Sequence, residues 1–123
     1  MLDHITISVT DVERSIRFYD LALAPLGIER LYDDDASFAG YGMRPKAFFW
    51  IGRRNVPQTS VHVAFAASDR ATVDQFFKAA LAAGGRDNGP PGVRPRYHPD
   101  YYGAFVLDPD GHNIEAVCHL STS

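Results

Sequence analysis

Cysteine is almost missing from this chain: Cys118 stands alone, so no intrachain disulfide framework can form and stability must come from an apolar core. A lone thiol fits a reducing cytoplasm most economically, as a small buried side chain. Excess charge is missing as well. The 12 Lys and Arg residues against 15 Asp and Glu give a net charge of −3, and no basic stripe or aromatic-interleaved lysine run occurs. Nucleic acid is therefore not an expected partner. No apolar run reaches the about 18 residues of a membrane span. The opening MLDHITISV sets Asp3 and His4 where a signal peptide would carry a basic start and an apolar core, so a cytoplasmic protein with no membrane partner is expected. Gly-rich phosphate loops, CxxC pairs and nucleophile elbows are absent too, which leaves the commonest phosphate, thiol and serine chemistries without their motifs.

What the sequence does have is apolar content: 46% of its 123 residues, with 12% aromatic. That suffices for one compact domain, residues 1–123, burying roughly two-thirds of its unfolded surface. It also has an internal repeat. Sliding the chain by 58 positions lays His4 on His62, Asp11 on Asp69, Phe18 on Phe76 and Gly27 on Gly85. Two modules follow, about 1–57 and 58–123.

Each module opens with an alternating strand. Ile5, Ile7 and Val9 point one way and His4, Thr6 and Ser8 the other; Val61, Val63 and Phe65 oppose His62, Ala64 and Ala66 in the second copy. A helix follows each strand. The first is expected to open on a Thr10-x-x-Glu13 capping box and to end at Pro25 and Gly27; the second opens near Ser68 and Asp69 and stops at Gly84-Gly85. Shorter strands come next, around residues 28–32, 37–41 and 47–51, then 103–107 and 113–117 across the turn Asp108-Pro109-Asp110-Gly111. Residues 86–100, rich in proline and glycine, read as a long ordered loop flanking a site. The fold class is thus α+β, two βαβββ modules related by a pseudo-twofold axis and forming a cupped mixed sheet.

His4 and His62 occupy equivalent positions in the repeat, so a twofold arrangement would turn both imidazoles toward one axis. Glu115 projects from an otherwise apolar last strand, where an unpaired carboxylate would be costly to bury. A divalent cation held by two imidazoles and one carboxylate removes that cost and leaves positions open for substrate. Arg94, Arg96, Tyr97, His98, Tyr101 and Tyr102 crowd the approach to the final hairpin and suit a substrate pocket, the arginines for an anionic group. Tyr102 and His98 are the candidates there for proton transfer, alongside Glu115 as a base. His112 and His119 read as structural or exposed.

The stretches DHITISVTDVERSIRFYDLALAPLG, HVAF and YYGAFVLDPDGHNIEAV resemble the glyoxalase, bleomycin-resistance and dioxygenase superfamily, the vicinal oxygen chelate proteins. The most specific part is G-x-F-x-x-D-P-D-G followed by N-x-E. The resemblance implies a cupped sheet around a divalent metal (iron, manganese, zinc or nickel) with ligands His4, His62 and Glu115. It also implies a homodimer and a small substrate chelating the metal through neighbouring oxygens, in lyase, isomerase or dioxygenase chemistry. The strand that would carry a fourth ligand reads Ala47-Phe48-Phe49-Trp50-Ile51 and has none. Its aromatic wall suits the alternative, a binding protein of the bleomycin-resistance type that holds a planar ligand without chemistry. Whether the modules close within one chain or pair between two stays open.

Overall fold

Alternating strands and amphipathic helices assemble as two copies of one motif in the computed structural model, which describes residues 2–34, 36–53 and 60–121. The first copy runs β1 (Ile5–Ser8), α1 (Val12–Ala22), a 3-10 turn (Ala24–Leu26), β2 (Glu29–Asp33), β3 (Phe38–Met43) and β4 (Lys46–Gly52). The second runs β5 (His62–Ala66), α2 (Arg70–Ala82), β6 (Arg86–Asp87), β7 (Gly92–Val93), β8 (Tyr102–Leu107) and β9 (Asn113–Cys118). The expected module boundary near residues 57 and 58 lies outside the described residues.

One sheet has the order β1-β4-β3-β2 and the other β5-β9-β8-β6, with β7 also on β8. In both, the first strand pairs parallel with the last and the remaining ladders are antiparallel, as the repeat requires. The α+β expectation therefore stands, with one difference in residues 86–100. Prolines 90, 91, 95 and 99 have no N–H to give a ladder, so a full strand cannot form there. The N–H groups that remain still find β8. Asn88 N–H donates to Phe105 O at 3.0 Å and Arg94 N–H to Tyr101 O at 2.7 Å, splitting the expected loop into the two short strands β6 and β7.

Aspartate caps both helices, at positions the repeat equates. Asp11 accepts from Arg14 N–H at 3.1 Å and Asp69 from Thr72 N–H at 2.7 Å. The expected Thr10–Glu13 box is displaced by one residue because the Thr10 hydroxyl is engaged elsewhere, donating to Asp110 at 2.7 Å in the distant β8–β9 turn.

Each helix lies on one face of its sheet. Ile16, Phe18, Tyr19 and Ala22 of α1 are buried with Tyr41, Phe49 and Ile51, while Val73, Phe76 and Ala80 of α2 are buried with Val106, Ile114 and Ala116. Phe49 meets Phe65 edge-on at 5.3 Å, joining the two halves of the core. Polar ties reinforce the seam. Tyr19 donates to Asp108 at 2.6 Å, and His112, fully buried, accepts from Val61 N–H at 3.1 Å and donates from Nε2 to Ser8 O at 2.8 Å. Cys118 is buried, as expected of a lone thiol. Among the described residues, no helix is long and apolar enough to cross a membrane.

Candidate functional site

Because α2 covers one face of the second sheet, the other face is left open, and the two-residue period decides what stands on it. Ala64, Phe105 and Glu115 share a register level across β5, β9 and β8; His62 and Asn113 share another. Glu115 is only 1% exposed although it sits on this open face. His62 Nε2 lies 2.8 Å from Glu115 Oε1, and since a carboxylate can only accept, that nitrogen carries the proton here. The Tyr101 hydroxyl donates to Glu115 Oε2. Burial first, then this bond to Glu115, pushes the Tyr101 phenol above its ordinary value and keeps it a donor. The His62 side chain remains half exposed, with Phe105 at 6.0 Å, so the pair has an open front and a closed back.

His4 does not join this pair within one chain. Its Nδ1 lies 2.8 Å from Asp3 Oδ1, which also takes Lys46 Nζ at 2.7 Å. Lys46 first, then His4, holds the Asp3 carboxyl below the usual range. The imidazole borders a cavity of about 260 Å³ at the seam of the modules, with Ile5, Phe48, Val63 and Phe65 among its walls. Among the described residues, no three His, Cys, Asp or Glu side chains come together as a metal cluster. Two predicted ligands are thus adjacent and the third stands apart.

The proton-transfer candidates also separate from Glu115. Tyr102 belongs to the α2-facing side of β8, and its hydroxyl donates to Asp74 of α2 at 2.6 Å. His98 accepts from Asp100 N–H on Nδ1 at 3.1 Å, which leaves the proton on Nε2 to be donated to His119 Nδ1 at 2.7 Å. Tyr101 is the residue that reaches the carboxylate, and the signal was available: it has the parity of Gly103 and Phe105, the open-face residues of β8. Arg94 is spent on the loop, donating to Pro90, Gly92 and Gly103 carbonyls at 2.7–2.8 Å with its guanidinium over Phe105. A polar cavity of about 370 Å³ lies between Arg94, Arg96, Tyr97, Asn88, Asn113 and Phe105.

A family profile described as the glyoxalase/bleomycin resistance protein/dioxygenase superfamily matches residues 1–116. The chain belongs to this superfamily. A solved glyoxalase/bleomycin resistance protein from Albidiferax ferrireducens is 31% identical with TM-score 0.82, the match covering 98% of this chain and 99% of that one. A glyoxalase-related enzyme from Fulvimarina pelagi is 22% identical, with TM-score 0.76 over 96% and 87% of the two chains. The lactoylglutathione lyase from Agrobacterium tumefaciens is 15% identical, with TM-score 0.69 over 96% and 92%, and shares the fold. No curated protein matches the chain.

Within the two-module plan, register identifies the first-sheet counterpart of Glu115. Glu115 pairs with Ala64, the repeat equivalent of Thr6, and Thr6 pairs with Trp50. Trp50 therefore occupies in the first sheet the place of Glu115 in the second. Its indole stacks on Tyr32, ring centroids 5.9 Å apart and planes 13° from parallel. It lies across Gly40, where a Cβ would come within 2.5 Å of the ring.

Proposed function

We propose that the protein works as a homodimer in which His4 of one chain and His62 and Glu115 of the other hold one divalent metal ion, and that this centre acts enzymatically on a small substrate with two neighbouring oxygens. The observation that carries the reading is the approach of His62 Nε2, on a half-exposed side chain, to a buried Glu115 carboxylate. Donor chemistry fits a borderline divalent ion, but one chain offers only two of these three donors. Pseudo-twofold equivalence of His4 and His62 makes a second copy the natural source of the third. His4 is also prepared for it: with Nδ1–H donated to Asp3, the lone pair is on Nε2, the carboxylate–histidine pattern that orients metal ligands. A bound ion would supply Lewis acidity toward the vicinal oxygens. Glu115 would hold the ion and serve as the base, with Tyr101 keeping its second oxygen in place.

Metal analysis on purified dimer tests this. Stoichiometric iron, manganese, zinc or nickel is expected, lost in H4A, H62A and E115Q alike. Mixed dimers of H4A and E115Q subunits should regain one of the two sites, because one interface then contains a full set. No stoichiometric metal with any of the four would sink the proposal.

A second reading draws on the first sheet. Tyr32, Trp50 and Phe38 form an aromatic shelf, with Tyr32 and Phe38 exposed, where the superfamily plan has a ligand position. Such a shelf suits a planar ligand bound without chemistry. Quenching of Trp50 fluorescence by planar aromatic compounds, undiminished in H62A and E115Q, would favour that reading over catalysis.

A further inference from the structure

We infer that Tyr101 is a positioning residue that fixes which oxygen of Glu115 faces the metal, and that Gly103 is glycine in order to seat it. The inference rests on the reading of Glu115 as a ligand given above. Glu115 divides its oxygens: Oε1 lies toward His62 at 2.8 Å and Oε2 is held from behind by the Tyr101 hydroxyl. A carboxylate pinned this way presents one oxygen to the front and cannot swing both toward an ion. Its single rotamer is set before any ligand arrives.

The seat of the phenol is built around an absent side chain. A Cβ on Gly103 would stand 3.1 Å from Tyr101 Cε1 and 3.2 Å from Glu115 Oε2, touching both partners of the hydrogen bond at once. The Tyr101 ring is braced on its other sides by Tyr97 at 4.8 Å and by the edges of His98 and His119 at 5.5 and 5.4 Å. His98 donates to His119 across 2.7 Å, so the loop before β8 is tied to the residue just after β9, and both ends close on one phenol. This arrangement gives Tyr97, His98 and His119 a role in bracing the phenol that holds the carboxylate.

Mn²⁺ and Zn²⁺ binding to the full-length protein, measured by calorimetry, tests the inference with two variants that fail differently. Y101F removes only the hydroxyl and keeps the braced ring. G103A keeps the hydroxyl and presses on both partners of its bond to Glu115, which must shift by a few tenths of an ångström. Each is expected to weaken binding about 10–100-fold, the usual consequence of losing a partner behind a ligand, with Y101F still folded by circular dichroism although its thermal midpoint falls, because Glu115 loses a hydrogen bond. The double variant should bind no more weakly than the single ones, since both changes act on one hydrogen bond. A metal-free readout accompanies it: a slowly exchanging Tyr101 hydroxyl proton in the NMR spectrum, lost in Y101F and in G103A. Wild-type affinity in Y101F, with binding abolished in E115Q, overturns the positioning role and leaves the ligand reading intact. If the wild-type protein binds neither these ions nor iron nor nickel, the ligand reading fails and the assignment of a metal-facing oxygen to Tyr101 fails with it.

Discussion

Tyr19 and Tyr41 show how one residue's chemistry sets a limit on the whole fold. Both rings are buried in the core, and their hydroxyls donate to Asp108 and Asp20 at 2.6 and 2.9 Å. Burial first, then the facing carboxylates, raises both phenols above the ordinary tyrosine value. A group whose folded value is raised contributes stability that is complete below its unfolded value and is lost as pH climbs toward the folded one. Stability should therefore fall above about pH 10, the unfolded tyrosine range, and Y19F should flatten that alkaline limb in urea titrations. At neutral pH the same variant should cost about 1.5–3 kcal/mol, the worth of a hydrogen bond to a charged group.

At the scale of elements, the β8–β9 hairpin does most to place the site, because it carries Glu115 and orients Tyr101. Its turn is organised by Asp108, which is 1% exposed and accepts from Asp110 N–H and His112 N–H on Oδ1 and from Tyr19 on Oδ2. Gly111 supplies the left-handed backbone the turn needs, with φ of 86°. D108A removes all three acceptor contacts and should cost at least about 3 kcal/mol in chemical denaturation, with D108N retaining part of it. On α2 the cap works in the opposite pH direction. Hydrogen bonds from the Thr72 hydroxyl and Thr72 N–H lower the Asp69 carboxyl value, so its stabilisation holds above the unfolded carboxylate value and disappears as pH falls through the folded one. D69N should lower the thermal midpoint at neutral pH and leave it nearly unchanged in strong acid. Both helices, the turn and most strands were legible in the sequence, since periodicity and Asp-Pro-Asp-Gly are local signals; the α1 cap was misplaced by one residue because Thr10 is claimed by the distant Asp110. β6 and β7 were not, because two-residue pairings are decided by β8 rather than by their own composition. Tyr102 was favoured over Tyr101 for its chemistry alone, whereas strand parity sends Tyr102 to Asp74 on the helix side and Tyr101 to Glu115.

For the molecule as a whole, the separation of His4 from the His62–Glu115 pair makes metal binding and assembly one equilibrium under the proposed function. A site completed by a second chain must lose its ion when the dimer dissociates, whereas a site within one chain is indifferent to protein concentration. Dilution should therefore weaken apparent metal affinity over the same concentration range in which sedimentation shows dimer giving way to monomer. The single tryptophan adds an optical report, since Trp50 lies on the open face of the first sheet. Its emission should shift across that range.

The sequence by itself determined the two-module α+β plan, the helices, the turn and the superfamily, because repeat, periodicity and turn chemistry act over a few residues and are written in the chain order. It also nominated His62 and Glu115. Only the tertiary structure decided that these two meet while His4 stands by Asp3, that Trp50 takes the place opposite in register to Glu115, and that Tyr101 closes the back of the carboxylate. Those outcomes depend on which strands become neighbours and which faces the helices cover, and a linear spacing does not encode either.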